Sequence, residues 1–319
     1  MRERPVRERA ARRLPGWVLA VPAWLWLTVF FVVPFLQVAW FSLGEKPGMF
    51  GTHSNEVMSF DRYAEAFSST FFTIFRATLW MSLIGTLACL LVALPAAYFM
   101  ASKVPAHRRG LLVALVMVPY WTSFLIRTIG WKVILSSEGA LAGFLTEVGL
   151  VSDPHALLNT RGAVLLGLIY NYLPLMILPL YVAFDRVDGA LGEASKDLGA
   201  GRVRTFFQVT LPLARPGIIA GIVLVFIPMM GDYVTPAVLG GAKGTMVGSL
   251  IASQFLTAQN WALGSAMAVV LILLTMVVVV LAISLLWGVG WLVHRRSRLV
   301  IGLAPPPETR VRAKEVATA

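Results

Sequence analysis

Two ionisable side chains, Arg127 and Asp232, lie in or beside apolar stretches that are long enough to cross a membrane. Ionisable groups are costly inside a bilayer, so they commonly mark the path of a substrate or an ion. Asp232 precedes Tyr233, and a carboxylate beside an aromatic face can hold an ammonium group by ion pairing and cation–π attraction. Asp232 is therefore the first candidate for contact with a cationic solute. A helix cap, or a pair with a loop base such as Lys243, would explain the same carboxylate.

Two aromatic residues, Tyr120 and Trp121, are the second candidates for a solute path. They follow Pro119 midway through an apolar stretch, where a broken helix would turn aromatic faces toward a cavity. Such faces would line the path of an alkyl amine, although Tyr and Trp are also common as anchors at the membrane surface. Arg127 would repel a cationic solute on this path unless an acidic group of a partner compensated its charge.

The remaining reactive residue types do not form the pattern of an enzyme or a metal site. The four histidines fall in loops without metal-ligand spacing, and the single cysteine, Cys89, lies inside an apolar stretch. No nucleophile has an evident base beside it in the sequence. The chain also lacks the Gly-x-x-x-x-Gly-Lys-Ser/Thr loop that binds ATP phosphates. We expect no catalytic residue, no metal and no cofactor in this chain.

The composition places the chain in a membrane. It is 58% hydrophobic and 13% charged, whereas about a quarter of the residues of an average soluble domain are charged. Its 319 residues leave room for about six spans of about 20 residues each. The net charge of +11 comes from short basic runs between apolar segments, so it indicates membrane topology rather than nucleic-acid binding.

Six apolar segments predict an all-α integral membrane protein with six transmembrane helices. We expect these spans at residues 17–43, 72–101, 110–130, 163–184, 216–235 and 263–293. Lys and Arg concentrate near the start of the chain, in two alternate loops and near its end, so both termini are predicted to be cytoplasmic. The chain would thus comprise a basic segment at 1–16, one membrane domain at 17–293 and a disordered cytoplasmic tail at 294–319.

The polar loop at 185–215 is long for a chain whose other cytoplasmic loop is very short. Residues 190–198 predict a short helix that ends with Gly199 and Gly201 in left-handed conformations. Residues 202–209 predict a second helix that follows the turn. A loop of this length on the cytoplasmic side indicates contact with something outside the membrane.

The residue pattern of this loop resembles the EAA loop of ABC importer permeases. The matching positions are Glu193, Ala194, Ser195, Gly199, Val209, Leu211 and Pro212. Ser195 stands in place of the second alanine of the family pattern and Val209 in place of an isoleucine, and both changes are small. Stretches 118–139 and 231–243 are also similar to permeases of spermidine/putrescine importers.

The resemblance implies the permease fold of type I ABC importers, in a multi-pass protein of the bacterial inner membrane. The loop would then hold the coupling helix that docks on an ATP-binding subunit, with Glu193 as the polar contact and Gly199 as the turn. The alternative is a purely local role. Glu193 is favoured near a helix start by the helix dipole, and Gly199 would be an ordinary helix cap.

The resemblance further implies import of a polyamine such as spermidine or putrescine by alternating access. The expected partners are a homologous second permease, two ATP-binding cassette subunits that bind ATP and Mg, a periplasmic or lipid-anchored substrate-binding protein, and membrane lipid. The same class of importer could instead carry an opine, γ-aminobutyrate or another small amino-acid derivative, whose opposite charges would suit Asp232 and Arg127. A stand-alone channel or a membrane enzyme is the third hypothesis.

Overall fold

The computed structural model describes residues 16–48, 51–149, 153, 155 and 157–300, and these are mostly helical. The β-type pairing among them is one isolated bridge between Glu45 and Ser54. Residues 1–15 of the predicted basic segment and residues 301–319 of the predicted tail at 294–319 lie outside the described residues. The last helix continues to Val300, beyond the predicted end of the sixth span.

α-Helices make up most of the described part of the chain. These helices are α1 (Gly16–Leu27), α2 (Val33–Phe41), α3 (Asp61–Ala66), α4 (Ser69–Ser102), α5 (Ala106–Met117), α6 (Phe124–Leu135), α7 (Ala140–Glu147), α8 (Arg161–Asp185), α9 (Gly189–Asp197), α10 (Arg202–Thr205), α11 (Leu211–Leu213), α12 (Arg215–Gly231), α13 (Val234–Leu239), α14 (Val247–Leu256) and α15 (Trp261–Val300). A 3₁₀ turn at Val118–Trp121 follows α5 directly.

Four stretches of helix within the described residues are long and apolar enough to cross a bilayer by themselves. They are Ala20–Phe41, Ser69–Ser102, Arg161–Asp185 and Trp261–Ser284. Two bent helix pairs complete a set of six spans when each pair is counted as one span. These pairs are Ala106–Trp121 with Phe124–Glu147, and Arg202–Leu213 with Arg215–Gly231. The predicted all-α membrane architecture is confirmed, with two of its spans broken.

The third predicted span, 110–130, is broken just after Pro119. Proline has no N–H to donate, and the helix tightens into the 3₁₀ turn before Thr122 becomes extended, at φ −83° and ψ 151°. The Thr122 hydroxyl donates a hydrogen bond to the carbonyl oxygen of Pro119 at 2.7 Å. Helix α6 then begins at Phe124 after a bend of 81°. The broken helix expected from Pro119 is therefore present.

The fifth span ends earlier than predicted. The apolar pattern extends it to Thr235, whereas α12 ends at Gly231. The Asp232 carboxylate accepts hydrogen bonds from the N–H groups of Val234 and Thr235, at 2.9 and 3.1 Å. These bonds start the new helix α13, because a side-chain oxygen satisfies N–H groups that a helix start leaves without a backbone partner.

A π-helical turn at Phe206–Thr210 precedes Pro212, as a second one at Thr28–Val32 precedes Pro34. Proline has no N–H and therefore removes one hydrogen bond of the α-helical pattern. The turn before it is wider, so that a backbone N–H donates to the carbonyl oxygen five residues earlier instead of four. The N–H of Leu211 accordingly donates to the carbonyl oxygen of Phe206, five residues earlier. Prolines therefore set the local geometry at both places.

The chain divides into two compact units. The first contains the described residues of Met1–Ser82, Leu125–Gly167 and Met230–Leu271. The second contains those of Leu83–Phe124, Leu168–Met229 and Ile272–Ala319. Residues of both units occur in helices α4, α6, α8, α12 and α15.

The start of α14 organises part of the first unit. The side-chain oxygen of Thr78 accepts a hydrogen bond from the buried N–H of Val247 at 2.9 Å. Next to it, a Cβ on Gly248 would lie 2.5 Å from the carbonyl oxygen of Asp232. The backbone can approach this closely only because glycine has no side chain.

Small residues let α8 and α12 pack closely in the second unit. A Cβ on Gly217 would lie 2.2 Å from the Cβ of Ala183, and a Cβ on Gly221 would lie 2.8 Å from the side chain of Leu180. Close contact through small residues is typical of helix pairs in membranes. Cys89 is fully buried in the same unit, as its apolar context predicts.

Candidate functional site

Helix α9 carries the first residues of the EAA-like pattern. Asp188 begins the helix by accepting a hydrogen bond from the Ala190 N–H at 3.0 Å. Glu193 and Ala194 are exposed, whereas Ser195 is half-buried. The side chain of Glu193 makes no hydrogen bond or ion pair within the described part of the chain, so its carboxylate is free to contact a partner.

A glycine turn ends α9. Gly199 has a φ of +83°, and its N–H donates to the carbonyl oxygen of Lys196 at 2.8 Å. The N–H of Ala200 donates to the carbonyl oxygen of Ser195 at 3.0 Å. These two bonds form a Schellman motif, which confirms the predicted helix end at Gly199. The same prediction for Gly201 is wrong, because that residue is extended at φ −64° and ψ 163° and precedes the next helix.

A pair of hydroxyl groups joins the two helices across this turn. Ser195 Oγ in α9 lies 3.1 Å from Thr205 Oγ1 in α10, and either group can donate. Thr205 is 6% exposed, so the pair satisfies a hydroxyl that has little access to water. The sequence identifies Ser195 as a departure from the family pattern but contains no signal for Thr205, because their contact depends on the geometry of the turn.

The second predicted helix of the loop, 202–209, is present and continues further. Helix α10 leads through the π-helical turn into α11, which contains Leu211 and Pro212. Helix α12 follows at Arg215, and the pair is bent by 67°. Leu211 and Pro212 therefore lie at the corner where the loop turns into the fifth span.

Three aromatic rings connect the loop to the ends of two other spans. The ring centroid of Phe206 lies 4.9 Å from that of Tyr98 in α4 and 6.3 Å from that of Phe184 in α8. Tyr98 and Phe184 are 5.7 Å apart and meet edge to face. Each such pair contributes about 0.5–1.5 kcal/mol beyond the burial of its surface. A displacement of the loop would therefore move Phe206 against Tyr98 in α4 and Phe184 in α8.

A cleft of about 670 Å³ opens between α9, the segment that follows it and the ends of α4 and α8. We call it the loop cleft. Its apolar wall consists of Leu94, Pro95, Tyr98, Phe184, Val187, Val203, Phe206 and Phe207. Its charged lining residues are Lys103, Asp188, Glu193, Lys196 and Arg202. The cleft thus combines an apolar surface with a charged rim.

Asp232 is 6% exposed and serves as a helix cap. Besides the two backbone N–H groups, the hydroxyl of Thr235 donates to its Oδ2 at 2.6 Å. This geometry corresponds to the capping alternative left open by the sequence, and a solute contact stays a prediction. Within the described residues, no three His, Cys, Asp or Glu side chains come together to hold a metal ion.

The other predicted path residues fall into both units. Tyr120 and Trp121 belong to the second unit, and Arg127, Asp232 and Tyr233 belong to the first. Trp121 is largely exposed, Tyr120 and Tyr233 are exposed to a lesser degree, and Arg127 is half-buried. Their role along a solute path stays a prediction.

The fold defines a multi-pass α-helical membrane protein with a structured loop between its fourth and fifth spans. The sequence pattern of the family described as binding-protein-dependent transport system inner membrane component matches residues 8–298, and the chain belongs to this family. It is therefore a permease component of an ABC importer in the bacterial inner membrane.

Relatives with assigned functions cover most of the chain. It is 42% identical over 248 residues to the spermidine/putrescine transport system permease protein PotB of Haemophilus influenzae. The match covers 76% of this chain and 84% of that protein. It is 36% identical over 274 residues to the Escherichia coli protein of the same name, covering 86% and 97% of the two chains.

A solved structure shares the fold. A chain of a bacterial ABC transporter involved in the import of the acidic polysaccharide alginate superposes with a TM-score of 0.65 at 17% identity. The match covers 85% of this chain and 94% of that chain. At this identity the likeness establishes the fold alone, which is the permease fold of type I ABC importers.

Proposed function

We propose that this permease carries a polyamine of the spermidine/putrescine kind across the inner membrane. The observation that carries the proposal is the pair of relatives, 42% and 36% identical, whose names assign them to spermidine/putrescine transport. The similarity covers most of each chain, so it includes the spans as well as the loop. The importer would move its cargo by alternating access.

Separate subunits would hydrolyse ATP in this proposal, because the chain has no phosphate-binding loop. Two ATP-binding cassette subunits would bind ATP and Mg, and one of them would dock on α9. The exposure of Glu193 and Ala194 supports this role of the helix. A homologous second permease and a periplasmic or lipid-anchored substrate-binding protein would complete the importer.

The loop would transmit the motion of the ATP-binding subunits to the spans. Their closure would displace α9, and the pair of Ser195 and Thr205 would make α10 follow. Phe206 would then press on Tyr98 and Phe184, since closely packed side chains leave little free space between them. ATP binding would open the path outward to receive the solute, and hydrolysis would return it inward.

The residues predicted for the solute path are retained in the proposal. The Asp232 carboxylate and the rings of Tyr233, Tyr120 and Trp121 would attract ammonium groups. Arg127 would require an acidic neighbour for a polyamine to pass. The variants of Asp232 described below separate a contact with the solute from the observed helix cap.

Uptake of radiolabelled spermidine tests the proposal, in proteoliposomes that contain the assembled importer and its binding protein. We expect saturable uptake that requires ATP and is competed by unlabelled putrescine but not by γ-aminobutyrate. A complex whose ATP-binding subunits cannot hydrolyse ATP is the control and should show no uptake. Transport of γ-aminobutyrate or an opine without polyamine uptake would retain the importer and refute the polyamine cargo. Polyamine flux without ATP-binding subunits would indicate a channel.

A further inference from the structure

The basic side chains of the loop cleft, Lys103, Lys196 and Arg202, have no part in the proposed transport cycle. We propose that the loop cleft binds one anionic phospholipid of the surrounding membrane. The lipid phosphate contacts Lys103, Lys196 and Arg202, and an acyl chain covers the apolar wall. The site lies beside α9, so the lipid supports the helix that carries the coupling residues.

The charges of the cleft favour an anion. The side chains of Lys103, Lys196 and Arg202 line it, and none of these side chains forms a hydrogen bond or ion pair within the described residues. Of the two acids in the lining, Asp188 is engaged in the cap of α9, which leaves Glu193. Three uncompensated cations thus face one uncommitted carboxylate.

The apolar wall favours a lipid over a soluble anion. Inorganic phosphate would use the basic side chains but would leave the exposed apolar side chains of the lining, Val203 and Phe207, in contact with water. An acyl chain would cover them and gain about 25 cal/mol for each Å² of apolar surface removed from water. The cleft volume of about 670 Å³ lies within the range of about 300–1,000 Å³ typical of ligand pockets. It can hold a headgroup and the first part of the acyl chains.

The position of the cleft agrees with the surface of a bilayer. Helix α4 ends at Ser102 and α8 ends at Asp185, and both are long and apolar enough to span the membrane. The segment after α9 exposes Val203 and Phe207 beside basic Arg204. Exposed apolar side chains next to arginine are typical of a segment that lies in the membrane surface. Basic pockets between spans at this depth bind anionic lipid headgroups.

Native mass spectrometry of the full-length chain, released from detergent and titrated with phosphatidylglycerol or phosphatidylcholine, tests the proposal. We expect one phosphatidylglycerol per chain, bound more tightly than phosphatidylcholine. The triple variant K103Q/K196Q/R202Q should bind it on the order of 100-fold more weakly. Arg186→Gln removes an exposed basic side chain of the same loop that does not line the cleft, and it should leave the affinity unchanged.

A second variant fills the cleft without changing its charge. Gly192 lines the cleft within α9, and a Cβ built there meets no atom within 4 Å. Gly192→Leu should keep the helix, because leucine favours helices more than glycine does, and should abolish phosphatidylglycerol binding. If gel filtration and thermal unfolding show that the triple variant does not fold, Gly192→Leu tests by itself whether phosphatidylglycerol binds in the loop cleft.

Several results would overturn the proposal. One is unchanged phosphatidylglycerol binding in a folded triple variant or in Gly192→Leu, and another is equal binding of phosphatidylcholine. Displacement of the lipid by inorganic phosphate alone would make the cleft a site for soluble anions. If the triple variant or Gly192→Leu lost an ATP-binding subunit but still bound phosphatidylglycerol, the loop cleft would be a protein-docking surface instead.

Discussion

Ser195 and Thr205 lie on opposite sides of a glycine turn, and their hydroxyl oxygens are 3.1 Å apart. The pair joins α9, which carries the predicted coupling residues, to α10, which leads directly into the Phe206 contact with Tyr98. The family pattern has alanine where this chain has Ser195. The serine therefore adds a hydrogen bond within the loop.

Ser195→Ala should loosen the loop while leaving its contact surface intact. The variant leaves the buried hydroxyl of Thr205 without its partner, which costs about 1–3 kcal/mol of stability. We expect a lower thermal unfolding temperature and faster hydrogen exchange at residues 202–205. Thr205→Val should behave similarly, and the double variant should lose less than the sum of the two. Strictly additive losses would show that the two hydroxyls do not interact.

Glu193→Lys should prevent association with the ATP-binding subunit or its coupling, because it reverses the charge of an exposed carboxylate on α9. The variant should still insert into the membrane, since the Glu193 side chain makes no hydrogen bond or ion pair within the described residues. Copurification of the ATP-binding subunits and ATP-driven uptake measure the effect. Glu147→Lys, an equal charge change at an exposed residue of α7, is the control and should behave as wild type. Normal uptake by Glu193→Lys would refute the coupling role.

Gly199→Ala should weaken coupling by straining the turn. Gly199 has a φ of +83° with no atom within 4 Å of a built Cβ, so the cost is confined to the backbone and amounts to about 1–2 kcal/mol. We expect more ATP hydrolysed per solute transported. Gly201→Ala is the matched control, because Gly201 has a φ of −64° and equal free space. Equal effects of the two variants would argue against a specific role of the turn.

Asp232→Asn separates the helix cap from a charge-based contact with the solute. Asparagine caps a helix start about as well as aspartate, so the variant should assemble normally. A contact with a cationic solute predicts a higher KM for spermidine in the same variant. Asp232→Ala should also lower the thermal unfolding temperature, because it removes the cap at a cost of about 1 kcal/mol. Unchanged uptake kinetics in Asp232→Asn would contradict a charge-based contact with the solute.

Gly248→Ala should destabilise the first unit. The added Cβ would lie 2.5 and 2.6 Å from the backbone carbonyl oxygens of Asp232 and Gly231, which have little room to move. Such overpacking costs about 1–3 kcal/mol and should lower the thermal unfolding temperature. Gly143→Ala in α7 meets no atom within 4 Å and should be neutral or stabilising, since alanine favours helices. A stable Gly248→Ala variant would show that the start of α14 shifts easily.

Local sequence was sufficient for much of this protein. Long apolar segments predict membrane helices wherever they occur, because a helix satisfies its own backbone hydrogen bonds inside a bilayer. Pro119 permits the break in the third span because proline cannot donate a hydrogen bond, but proline is not sufficient for a break, since Pro95 and Pro228 lie inside helices that continue past them. Gly199 marks the end of α9, and this end could be predicted because its hydrogen bonds join residues of one helical turn, 195–200. The EAA-like pattern identifies the family before any contact is known.

Other features required the tertiary structure. The fifth span ends early where the Asp232 carboxylate accepts hydrogen bonds from the N–H groups of Val234 and Thr235. Hydropathy does not predict these bonds. Gly201 resembles Gly199 in sequence, yet it is extended because α10 starts directly after it.

The sequence alone determined the class of protein, its six apolar segments and the position of the polar loop at 185–215, because each depends on residues that are neighbours in the chain. Only the tertiary structure decided which buried groups pair, such as Thr78 with Val247, and which residues line the loop cleft. Those relationships join residues that are distant in sequence, and hydrophobic periodicity contains no information about them.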